Sequence, residues 1–163
     1  MNTELKTDSI VADIRELILR QRSTIANTIN TAMLQSYWEI GRRIVEEEQS
    51  YSSRAEYGAQ LIKKLSAQLT NEFGRGFSER SLRNYRQFFL KFPDWTIWQP
   101  RLPNLTWSHI SILLRVDDAE AREWYMKESQ QQMWSKRMLD RNVSSQYYYR
   151  LLSSQSVIQD TFD

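Results

Sequence analysis

A chain of 163 residues with a formal net charge of +2 has room for one domain with a sizeable core and does not require two. The absence of cysteine excludes disulfides and thiolate metal sites, and a single histidine argues against zinc, so neither a metal nor another cofactor is expected. Twenty aromatic residues against four Gly and three Pro favour an all-α fold, because few breakers interrupt the periodic runs.

The opening MNTELKTDSIVADIREL carries acidic residues throughout and no uninterrupted apolar run. It reads as neither a secretory signal nor a membrane span, and a cytoplasmic protein is the expectation. From Ser9 to about Glu48 the apolar residues Ile10, Ile14, Leu17, Ile18, Ile25, Ile29, Met33, Tyr37, Ile40 and Ile44 recur almost entirely at spacings of three, four and seven. The spacing predicts one very long helix or two consecutive ones, with Gly41 a weak place to break. A helix this long exceeds what a compact domain needs and points toward a partner or a second copy. The favoured expectation is nonetheless a core helix wrapped by the others. Glu46 to Glu48 and the residues to Ser53 make a polar end and a loop.

The stretch Leu61 to Phe92 is the one with functional character. Leu61, Ile62, Leu65, Leu69 and Phe73 fall on one side of a helix that Gly74 stops by taking a left-handed conformation, and Gly76 lets the chain reverse. A second helix starts at Ser78, whose hydroxyl can cap the first turn while Phe77 and Leu82 close over the end as a hydrophobic staple. Its apolar face is Leu82, Tyr85, Phe88, Phe89 and Phe92, and Pro93 prevents continuation. Opposite lie Arg80, Arg83, Asn84, Gln87 and Lys91, with Arg86 on the flank. Arginine can grip guanine or phosphate through two parallel bonds, and Asn and Gln can do the same for adenine, so the set suits a major-groove reading helix. An outward helix face is more often charged merely for solubility. Charge distribution favours the sharper reading. Residues 1–60 hold 7 Lys+Arg against 9 Asp+Glu, residues 61–91 hold 7 against 2, and residues 92–163 hold 8 against 9. The basic excess is confined to the helix pair, as an electrostatic footprint for phosphates would be.

Pro93 to Thr106 contains all three prolines and is expected to be rigid but irregular, pinned to the helices by Trp95, Ile97 and Trp98. Trp107, Ser108 and Ile112 repeat the staple pattern, as do Trp134, Ser135 and Leu139. Asp117 and Glu120 form a capping box for a helix through Glu128. The last helix is expected from Ser135 to about Leu152, with Tyr147, Tyr148 and Tyr149 as packing residues near its end. Residues 153–163 read as a tail or the start of a linker. His109 reads as a surface or capping residue.

Neither a glycine-rich phosphate loop nor a GxSxG elbow occurs. Pro93-Asp94 could open a PD-(D/E)XK nuclease motif, but no strand with Glu-x-Lys follows. No catalytic constellation is visible, so the 163 residues by themselves are expected not to be an enzyme.

Four segments in order suggest a family: YWEIGRRI at Tyr37 to Ile44, EYGAQLIKKLSAQLTNEFGRGFSERSLRNYRQFFLKFP at Glu56 to Pro93, LTWSHISILLRVDDAEAREWY at Leu105 to Tyr125, and WSKRMLDR at Trp134 to Arg141. Together, over about four fifths of the chain, the sequence resembles the amino-terminal domain of the YhcG family, bacterial proteins in which this helical domain precedes a PD-(D/E)XK nuclease domain. The resemblance implies a domain over 1–152, followed at 153–163 by the tail or linker toward a nuclease domain absent from the sequence. It carries no catalytic residue over.

The leading expectation is a helix-turn-helix-like DNA-binding module that targets such a nuclease. Arg80, Arg83, Asn84 and Gln87 would contact bases or backbone. Lys63, Lys64, Arg75 and Arg86 would anchor phosphates, with Lys91 on the same face and the Ser78 helix start adding amides. The expected partners are DNA and the carboxyl-terminal nuclease domain. The rival expectation is a protein interaction module, a homo-oligomer built on the long first helix, with the basic face merely solvated.

Overall fold

The amino-terminal half of the sequence folds around one rod, α1 (Asn2–Gln49), which at 1.5 Å per residue is about 72 Å long. The computed structural model describes the backbone of residues 2–51 and 54–162 and the side chains of 7–51, 56–157 and 159. Seven further α-helices follow: α2 (Arg54–Phe73), α3 (Glu79–Lys91), α4 (Trp95–Trp98), α5 (Trp107–Leu113), α6 (Ala119–Gln131), α7 (Lys136–Ser144) and α8 (Tyr147–Phe162). A single 3-10 turn covers Gln99–Arg101, and no strand occurs among the described residues. The protein is all-α.

Gly41 does not break α1. A Cβ built on it would lie 2.0 Å from the Tyr85 carbonyl oxygen, so the residue is the point where the backbones of α1 and α3 cross. A helical glycine costs about 1 kcal/mol relative to alanine, and here the cost is offset by an approach no side chain would permit. Around this crossing lies the smaller core, Ile44, Ile62, Leu82 and Tyr85. The larger core joins Leu34 and Trp38 of α1 to Phe88 and Phe92, to Leu102 and Leu105, and to Ile110, Leu113, Tyr125, Met126 and Leu139 from α5, α6 and α7. The Trp38 indole N–H donates to the Phe92 carbonyl at 2.7 Å, satisfying a donor that burial would otherwise orphan.

Only half of α1 is the wrapped core helix expected. Residues 7–26 are exposed on every side, and contact with the body begins where Asn27 accepts from the Asn104 amide and Asn30 donates to the Leu105 carbonyl. Ile10, Val11, Ile14, Leu17, Ile18, Ile25, Ile29 and Met33 are each 47–57% exposed.

Two of the three staple sites start helices where expected. Ser78 accepts from the Ser81 amide and Ser135 from the Met138 amide, with Leu82 and Leu139 buried below. The third is displaced: Thr106, not Ser108, caps α5, and its own amide donates to His109 Nδ1 at 3.1 Å. His109 Nε2 lies 2.7 Å from the Trp134 carbonyl, which makes the Nε2–H tautomer the consistent one. The histidine is thus a capping residue and is buried, not on the surface. Asp118, one residue past the expected Asp117, caps α6 through the Glu120 and Ala121 amides. The Ala121 amide first, then the Tyr149 hydroxyl, holds its carboxyl below the usual aspartate range.

Three other expectations are corrected. The proline segment is regular in part, because Asp94 caps the single-turn α4 and Pro100 sits at the opening of the 3-10 turn, where a missing N–H costs nothing. Trp95 and Trp98 pack on the core, but Ile97 is half exposed. The last helix is two: Gln146 takes a left-handed φ of 55° between α7 and α8, so the three tyrosines open a helix instead of closing one. Tyr147 and Tyr148 pack beside Trp124, as packing residues should, and the stretch after Leu152 stays helical to Phe162.

Candidate nucleic-acid interface

The turn between α2 and α3 is built by its glycines. Gly74 has φ of 79° and Gly76 of 101°, the left-handed region that other residues resist, and between them they reverse the chain in four residues. Phe73 does not join the buried face of α2 as expected. It is 63% exposed with its ring 5.9 Å from Phe77, because the chain has already begun to turn away from the core. Tyr85 locks the turn from below: its hydroxyl donates to the Gly76 carbonyl at 2.7 Å, and its ring stacks on Tyr37 at 4.4 Å. Burial, then the Tyr37 phenol, pushes the Tyr85 hydroxyl well above its ordinary range, so it remains a donor at any physiological pH.

With Leu82, Tyr85 and Phe88 inward, α3 turns its polar face away from the body, and the residues on that face divide by position. At the amino-terminal end, Arg80 is exposed and, like those of Lys63, Lys64 and Arg75, its side chain makes no hydrogen bond or ion pair among the described residues. Arg83 is exposed and holds only Glu79, one turn back, at 3.4 Å. Such a surface pair contributes at most a few tenths of a kcal/mol and yields easily to a phosphate. Ser78 is exposed, with its oxygen occupied by the cap. Asn84 and Gln87 are half-buried.

Toward the carboxyl-terminal end the cations turn inward. Arg86 Nε donates to both oxygens of Glu48 at 2.8 and 3.0 Å, and the Glu48 side chain is only 10% exposed. Gly58 of α2 packs against that carboxylate, where a Cβ would come within 3.1 Å of its oxygen. Lys91 donates to the Leu114 carbonyl at 2.7 Å and approaches Asp117 at 3.3 Å. Arg86 and Lys91 therefore tie α3 to α1 and α5, and the structure gives neither a free ammonium or guanidinium for phosphate. Gln87 lines a groove of about 580 Å³ shared with Glu48, Gln49 and Arg86. Arg83 stands on the same groove, where the Glu48 carboxylate is already matched by Arg86.

Sequence reasoning missed Glu48 and the Leu114 carbonyl, the two acceptors that withdraw Arg86 and Lys91, and read Gly41 as a weak break instead of a helix crossing. Glu48 lies in a run of three glutamates and looks like solvated surface; the only hint was an unpaired Arg86 on the flank of the polar face. Among the described residues no group of three or more His, Asp or Glu could hold a metal, and no helix is long and apolar enough to cross a membrane.

A family model described as the DUF1016 N-terminal domain matches residues 13–150. The chain is 37% identical over 173 aligned positions to the Escherichia coli K12 protein named "Putative nuclease YhcG", covering 86% of this chain and 45% of that relative. No solved structure matches.

Proposed function

The chain belongs to the DUF1016 N-terminal domain family, and from that premise we propose that it is a duplex-DNA-binding module which positions a nuclease. It spans less than half the length of the relative named as a nuclease, so the chemistry of cleavage is assigned to the remainder of such a protein. The observation that carries the reading is the set of exposed cations Lys63, Lys64, Arg75, Arg80 and Arg83. These are five exposed cations on one helix pair, of which only Arg83 has a partner among the described residues. The turn of α3 that bears Arg80 and Arg83 is the part of a reading helix that normally meets base edges and phosphates. Asn84 and Gln87, half-buried, stand behind that turn as base contacts, while Arg86 and Lys91 act within the fold.

Fluorescence anisotropy of a labelled duplex at several salt concentrations tests the reading directly. Neutralisation of about four phosphates gives a log–log salt slope near −3.6. Replacing both Arg80 and Arg83 by Ala flattens the slope by about two units and weakens binding at least tenfold at low salt. Unchanged binding in a variant that remains folded would remove the assignment.

A further inference from the structure

The bare half of α1 presents a second surface, independent of the cationic one, and we infer that it is the interface on which two copies of this chain pair. Ile10, Ile14, Ile18, Ile25, Ile29 and Met33 lie within about 140° of one another around the helix. Leu34, Gly41 and Val45, which the body covers, point the opposite way, and residues 7–26 are exposed on every side, so the described chain leaves the stripe bare. Ile14 and Ile25, and likewise Ile18 and Ile29, are eleven residues apart, a spacing that drifts only about 20° in three turns. The stripe therefore runs nearly straight along the rod, and a second straight helix can touch it over its whole length.

Three observations fix the occupant as a second copy. The first is area: the six side chains of the stripe and Val11, which falls in the same arc, leave on the order of 100 Å² each, approaching the ~800 Å² per partner of a standard specific interface. The second is charge. Between residues 8 and 33 Asp8, Asp13 and Glu16 balance Arg15, Arg20 and Arg22, so the segment is neutral and does not repel its own copy. A symmetric dimer needs that self-compatibility, because the same patch serves on both sides. The third is helix propensity. Nine of the residues from Ile10 to Thr31 are β-branched, which lowers helix propensity, so the exposed segment is stabilised by packing against a partner. Past Met33 the same side of α1 turns mostly polar with Ser36, Glu39 and Arg43, and its next apolar residue, Ile40, is half-buried against the smaller core.

Light scattering coupled to size exclusion on the full 163-residue chain reads the result. At about 10 µM the expected mass is twice the 19.5 kDa of one chain. Ile14→Lys with Ile25→Lys gives a monomer whose near-ultraviolet spectrum, set by the distant tryptophans, is unchanged, while Ser23→Lys on the opposite side stays dimeric. The sequence contains no cysteine, so single cysteines at positions 14, 18, 21, 25 and 29 report proximity without background. Oxidative cross-linking at one or more of them, and not at Ser23→Cys, is expected; all five cross-link in a parallel pair, and only those near the two-fold axis in an antiparallel pair. A monomeric parent, a dimer indifferent to the double lysine variant, or cross-linking at position 23 alone would overturn the inference. None of these readouts depends on whether the chain binds DNA.

Discussion

The two halves of α1 are drawn from the same pattern, apolar residues at spacings of three and four, and they have opposite fates. From Leu34 to Glu48 the helix is where α3, α2 and the tryptophan-bearing segments converge, with Leu34 at 1% exposure and Ile44 at 3%. From Ile10 to Ile29 the same kinds of side chain stand about half exposed. The difference lies less in hydrophobicity than in small and polar details. Gly41 admits another backbone, Trp38 carries a donor that Phe92 accepts, and Glu48 finds a guanidinium. Before Asn27 the amino-terminal half has no such features among the described residues, only an aliphatic stripe. A helix face becomes the centre of a domain when it offers specific points of approach; a smooth aliphatic stripe suits a partner as smooth as itself.

Substitutions can break this contrast. The largest expected effect is Gly41→Ala, which drives a methyl into the Tyr85 carbonyl and costs about 3 kcal/mol or more in urea unfolding. Ser23→Ala in the bare half should cost less than about 0.5 kcal/mol. Arg86→Ala comes next at roughly 2 to 3 kcal/mol, because it strands a carboxylate that is nearly buried, discounted for the partial exposure of the arginine. Arg83→Ala, three residues away, should leave stability within about 0.5 kcal/mol and instead lower duplex affinity, an inversion that separates structural from ligand-directed arginines. Should the two variants lose stability equally, the division of α3 into an engaged and a free end is wrong. Trp38→Phe, which removes a buried donor together with the pyrrole half of the indole, is expected to cost about 2 kcal/mol. The smallest effect belongs to Ile25→Ala. At low protein concentration the thermal midpoint of the body stays put, but the rise of the midpoint with concentration expected of a dimeric parent is lost.

The fold was readable wherever a local rule acts alone. Ser78 and Ser135 could be named as caps from the sequence, since a hydroxyl before an apolar turn needs only its own helix to be satisfied. Gly74 could be named because a left-handed residue at a helix end is again a local matter. The errors fall where two candidates compete within one or two positions. Thr106 displaced Ser108 once His109 could reach back to its amide, and Asp118 displaced Asp117, which the ammonium of Lys91 approaches. The break at Gln146 followed no signal, since glutamine is not a residue that advertises a left-handed turn. In the cationic face, exposure at Arg80 and Arg83 follows from the wheel. The withdrawal of Arg86 and Lys91 does not, because it depends on Glu48 and the Leu114 carbonyl, 38 and 23 residues away in sequence.

The crossing at Gly41 carries a mechanical consequence. With two main chains in direct apposition and no side chain between them to flex or slide, α3 is mounted on α1 as on a stiff beam, and Ile10 lies about 46 Å along that beam from the mount. A tilt of about 5° at the mount displaces Ile10 by roughly 4 Å over that length, so whatever grips the far end of the rod also sets the bearing of Arg80 and Arg83.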